Sequence, residues 1–145
     1  MRRSVAVAVL GAALLLVPVA VAATPGRYNG WLYKANGHRW SGTVTMLDVA
    51  DTPAGQRFRL SLYNMRLTCP YVDRRGRVVR QRLRLVQQGI VQGDFIDDTR
   101  RLNRTQLVRV RGRFIDRRFA GRITVGPRAG LTGVCGGSAH VRVGR

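Results

Sequence analysis

Residues 78–86 read Val78-Val79-Arg80-Gln81-Arg82-Leu83-Arg84-Leu85-Val86, three arginines on alternate positions among apolar residues. As a strand, this stretch turns Val79, Leu83 and Leu85 to one face and Arg80, Arg82 and Arg84 to the other. As a helix, Val79, Leu83 and Val86 also fall at a workable spacing. The β-branched start decides for strand, and the neighbouring segments agree.

Working outward, the same short alternation recurs between turn residues. Arg27–Lys34 alternates around Tyr28, then Trp31 and Tyr33. Ala35-Asn36-Gly37 is a hairpin signal, because Asn-Gly accepts positive φ at both central positions. His38–Val49 alternates through Trp40, Val44 and Met46. Arg57–Leu67 places Phe58, Leu60 and Leu62 together. A turn at Asp73–Arg77 leads into the opening stretch, and a loop or bend is expected at Gly89. Ile90–Ile96 reads as a strand, and the polar run after it reads as a connection. Gln106–Ile115 sets Val108, Val110 and Phe114 against Arg109, Arg111 and Arg113. Gly112 inside that run costs a helix about 1 kcal/mol, which again favours strand. Phe119–Val125 and Val134–Val143 complete the series. About eight short strands with regular turns predict one all-β antiparallel domain, a sandwich or small barrel.

The chain begins with Arg2 and Arg3, an apolar run from Val5, Pro18 and an Ala20-Val21-Ala22 site. These are the parts of a secretory signal peptide, residues 1–22, leaving residues 23–145 as the domain. The competing reading is a retained anchor, since the run approaches the roughly 20 residues that span a bilayer. The proline and the small-residue site favour cleavage. Cys69 and Cys135, an even pair in an exported chain, are expected to form a disulfide rather than two free thiols or a metal pair.

The 145 residues carry a formal charge of +19, with 25 Arg, one Lys (Lys34), seven Asp and no Glu. Codon bias in a GC-rich genome accounts for arginine in place of lysine. It does not account for the excess of cations over anions. That excess favours polyanions as partners: a cell-envelope polymer, nucleic acid or an anionic lipid surface. The candidate ligands to such an anion are Arg57, Arg59, Arg80, Arg82, Arg84, Arg109, Arg111 and Arg113. The plainer alternative is a solvated outer face, with arginine stems covering apolar area and the heads in water. Tyr63, in phase with Arg57 and Arg59, is the one aromatic available to that strand for stacking on a single-stranded ligand.

Enzyme chemistry has thin support. His38 and His140, with Lys34, are the residue types a phosphodiesterase or nuclease uses for acid–base catalysis. Nothing in their spacing brings them together. There is no G-x-S-x-G motif. A paired-carboxylate glycosidase would have to draw on aspartates that lie mostly in turns. Asp94, Asp97 and Asp98 match no EF-hand spacing and have Arg100 and Arg101 beside them, so neither calcium nor any cofactor is expected. Asn103-Arg104-Thr105 is a glycosylation sequon, relevant only in a host that modifies exported chains.

Tyr28-Asn29-Gly30, Cys69, Gly93-Asp94-Phe95, Val110–Phe114, Phe119–Val125 and Cys135-Gly136-Gly137-Ser138 follow one another along the mature chain. In this order they resemble small exported bacterial all-β domain proteins. The resemblance implies a compact antiparallel domain with a Cys69–Cys135 bridge and carries no catalytic residues. The arginine load departs from that pattern. The reading is therefore an exported, non-catalytic β domain with a basic surface. Its alternatives are a small secreted nuclease using His38 and His140, or a purely structural envelope protein.

Overall fold

The computed structural model describes residues 22–145; of the expected signal segment only Ala22 falls within them. Eight strands follow in order: β1 Gly26–Tyr33, β2 Val44–Thr52, β3 Gly55–Val72, β4 Val78–Ile90, β5 Phe95–Arg101, β6 Gln106–Ile115, β7 Arg118–Pro127 and β8 Gly137–Gly144. All pair antiparallel in one sheet, ordered β4-β3-β2-β1-β8-β7-β6-β5. Two four-strand meanders are thus joined through β1 and β8. The sheet curls until β4 and β5 come near each other, which makes a nearly closed, barrel-like sheet. Among the described residues no strand pairing joins β4 to β5. A side chain spans the seam instead: Gln87 Nε2 donates to Asp98 Oδ2 at 2.6 Å.

Alternation fills the interior. Tyr28, Leu47, Phe58, Leu60, Ile123 and Val141 are all fully buried. Phe114 packs between Tyr28 and Phe119, with ring centroids 5.4 and 4.9 Å away. Gly112 and Gly121 face each other across β6 and β7. A Cβ on either would lie 2.6 Å from a backbone oxygen of the other strand and within 2.9 Å of the Phe119 ring. The glycine pair therefore lets the wall bend closely around that ring, as barrel corners require.

One end of the barrel is stapled. Cys69 of β3 is bonded to Cys135 beside β8. Thr68 and Gly136 exchange backbone hydrogen bonds of 2.9 and 3.0 Å next to it. Buried Gln106 donates to the Cys135 carbonyl at 2.6 Å. At the other end Ala23 is buried; its N–H donates to Gly93 O and its carbonyl accepts from Gln56.

Four sequence expectations change. The polar run after Ile96 is strand, not connection: β5 is Phe95–Arg101, and the turn falls at residues 91–94. An edge strand at a seam has few inward positions, so its composition looks like a loop. Gly89 is not a bend; β4 continues through it, and a Cβ there would strike the Phe58 ring at 2.6 Å. The phase of β2 is reversed: Thr45, Leu47 and Val49 point inward, while Val44 is exposed. Buried Thr43, which donates to Trp40 O and accepts from Leu32 N–H, and buried Thr45 disguise that face as polar. Finally, of the Asn36-Gly37 pair only Gly37 takes positive φ, at 82°.

Candidate polyanion interface

The strand reading of residues 78–86 holds. Val79, Leu83 and Leu85 turn toward the core, and Arg80, Arg82 and Arg84 are exposed. Their neighbours on β3 are set by a bulge. Asn64 adopts φ 63° and its side chain donates to Gly42 O at 2.8 Å. Asparagine is among the few non-glycine residues that tolerate this conformation. The bulge shifts the outward phase of β3 from odd positions to even ones, so Arg66 lies directly opposite Arg82 and Thr68 opposite Arg80. Arg84 covers the Tyr63 ring at 4.8 Å. Among the described residues, no carboxylate lies within ion-pair distance of Arg66, Arg80, Arg82 or Arg84. Like charges directly opposed on a sheet are destabilising. Arg57 and Arg59 continue this face beyond the bulge, opposite Ile90 and Gln88. Arg59 also sits across from Asp48, whose carboxylate is taken by Arg27 at 2.7 Å.

Arg109, Arg111 and Arg113 are equally exposed on β6, but their surroundings differ. Asp97 of β5 accepts two hydrogen bonds from Arg109, at 2.9 and 2.8 Å, and lies 3.7 Å from Arg111. The Arg109 guanidinium holds the Asp97 carboxyl below the usual carboxylate range, and Arg111 adds to the effect. The two ladders lie in one sheet but not side by side, because β5 stands between β4 and β6 across the seam.

On its other side the β6 ladder does extend. Arg111 pairs with Arg122, Arg122 with His140 and His140 with Tyr33. One step along, Arg113 pairs with Ala120, Ala120 with Arg142 and Arg142 with Trp31. From β6 to β1 these two rows contain no carboxylate. An open groove of about 500 Å³ runs over this wall; Trp31, Tyr33, Arg118 and Arg142 stand around it, with Ala120 and Gly144 in its floor. Arg39 lies 4.9 Å from the Trp31 ring, and Arg142 lies 4.8 Å from Tyr33. Sequence patterning alone does not single out Arg39, Arg118, Arg122 or Arg142. The aromatic pair at i and i+2 in β1 was the available signal. What joins it to the arginines is the β1–β8 pairing, which no local pattern announces.

His140 and His38 flank the same end of β1 from opposite sides. His140 stands on β8 between Arg122 and Tyr33, and His38 lies in the β1–β2 hairpin, where its N–H donates to Asn36 Oδ1. Neither lines the open groove over the β6–β1 wall. Asp98 is engaged by Gln87 and by Arg100 at 3.1 Å, and among the described residues no three His, Cys, Asp or Glu side chains gather as a metal site. Asn103 of the sequon is tied into its own turn: its Oδ1 accepts from the N–H groups of Thr105 and Gln106. No family model, no curated protein and no solved structure matches this chain.

Proposed function

We propose that the protein is an exported, non-catalytic β-barrel whose basic surface binds an anionic polymer. The observation that carries this reading is the uncompensated cluster of Arg66, Arg80, Arg82 and Arg84 on the outer face of one hairpin. Holding four guanidiniums together without a carboxylate costs repulsion that a bound polyanion would relieve. Export is supported by the Cys69–Cys135 disulfide, since such bonds persist in oxidising compartments.

A structural reading has one observation in its favour. β4 is an edge strand of 13 residues facing a β5 of 7, so part of its open edge has no opposing strand. Charged side chains on an exposed edge oppose edge-to-edge aggregation. Both readings are tested by changing Arg80, Arg82 and Arg84 together to Gln and measuring binding to heparin, duplex DNA and anionic vesicles across a salt series. Weakened binding with a shallower salt dependence supports the ligand reading. Unchanged binding together with new self-association assigns the ladder to edge protection and overturns the ligand role.

A further inference from the structure

The wall formed by β6, β7, β8 and β1 differs from the β4 ladder in kind. It combines cations with two outward aromatic side chains. Trp31 is 44% exposed. Tyr33 shares its face two residues on. Each ring is already braced on one side by a guanidinium, Arg39 for Trp31 and Arg142 for Tyr33. Such bracing fixes the ring plane before any ligand arrives, which lowers the ordering cost of binding.

We propose that this groove binds single-stranded nucleic acid, with Trp31 and Tyr33 stacking on bases and the flanking arginines following the phosphates. The proposal rests on the polyanion reading above, names a ligand class for it and assigns a second basic site, apart from the β4 hairpin. Three features point to bases rather than to a featureless polyanion. First, two outward positions i and i+2 on a strand are about 6.8 Å apart, twice the roughly 3.4 Å rise of a stacked strand. The rings therefore suit two bases pulled off one another and not a continuous stack or a duplex. Second, Ala120 and Gly144 keep the floor low beside the rings, leaving depth for a base edge. Third, Arg118 and Arg142 line the groove, and the two cross-strand rows carry Arg122 with His140, and Arg113, onto the wall beyond it, before Asp97 is met beside Arg111. A charged groove that tracks the backbone beside stacking platforms is the general solution for binding single strands without sequence preference.

This arrangement separates two contributions that a simple basic patch would merge. Heparin and polyphosphate offer charge alone and depend on the arginines. A single strand depends on the arginines and on the rings. The test is fluorescence-anisotropy binding of a fifteen-nucleotide oligothymidine, with heparin and polyphosphate as competitors, to the wild-type protein and to Trp31→Ala, Tyr33→Ala and Trp31→Phe. Stacking predicts that each alanine variant loses about tenfold in oligothymidine affinity. Heparin affinity is expected to stay within about twofold. Trp31→Phe keeps a ring and should recover most of the loss, which separates stacking from a folding defect. In the wild type, binding of oligothymidine should quench tryptophan fluorescence, and that quenching should vanish in Trp31→Phe. If oligothymidine and heparin respond alike to the ring variants, the nucleic-acid assignment is overturned while the polyanion reading stands. If heparin does not bind the wild type at low salt, the polyanion reading falls and this proposal falls with it.

Discussion

The arginine ladders of β4 and β6 have nearly the same sequence pattern and different physical situations. In both, three arginines alternate with inward positions. On β6 the carboxylate of Asp97 takes up Arg109 and reaches Arg111, and the intervening Gly112 is pressed against the wall of β7. On β4 the neighbour across the strand is another cation, Arg66, and the intervening Gln81 is exposed. A charge pattern along one strand therefore says little about its field. The partner strand decides whether the charge is neutralised, repeated or left for a ligand.

Breaking the staple should separate the two ladders most strongly. Cys69 anchors the half of β3 that backs Arg80 and Arg82. Replacing both cysteines by serine is expected to cost about 4 kcal/mol on the chain-entropy account of a loop this long. Urea denaturation measures the loss. Native-state hydrogen exchange should show the same loss at every amide that exchanges through global unfolding, with additional local opening in residues 67–83.

The glycine contrast comes next. Gly112→Ala must displace backbone or the Phe119 ring, and an overpacked site of this kind costs about 2–3 kcal/mol. Gln81→Ala, at the matching place in the β4 ladder, should change stability by no more than about 0.5 kcal/mol. Equal melting temperatures for the two variants would refute the structural distinction.

Electrostatics gives a smaller but more direct test. The triple change of Arg80, Arg82 and Arg84 to Gln should reduce the salt slope of polyanion binding by about 2–3, near 0.9 for each phosphate no longer neutralised. Changing Arg109 and Arg111 to Gln should reduce it less per residue, because Asp97 already offsets part of their charge.

The smallest effect is acid dependence. Asp97 has a depressed carboxyl pKa through Arg109, so its contribution to stability is present above about pH 4 and fades as pH falls through the depressed value. Asp73 behaves the same way, held low chiefly by the N–H groups of Arg77 and Arg75. Because Asp97 is surface-exposed, the loss in stability should be slight. Protonating it frees Arg109 and Arg111, so polyanion binding should strengthen on acidification. That gain should be smaller in Asp97→Asn, because only the other paired aspartates then release their arginines, and a binding titration against pH reads it.

Much of this was legible in the chain. The alternations of residues 57–62, 78–86 and 106–115 specify strands and their inward faces, because a period of two leaves no freedom once one side is apolar. The cysteine pair and the excess of arginine over aspartate needed no fold to be read. Where the chain misled, the physical cause was local. Thr43, just before β2, and Thr45 of β2 put hydroxyls on an inward face, and β5 at the seam has little core to face. Tertiary structure alone decided that the two meanders become one curled sheet, because the β1–β8 pairing joins the ends of the domain. It alone decided that β4 keeps its charge while β6 shares it with Asp97. And it alone carried Trp31 and Tyr33 to Arg142 and His140, since lateral register couples residues more than a hundred positions apart and leaves no trace in local alternation.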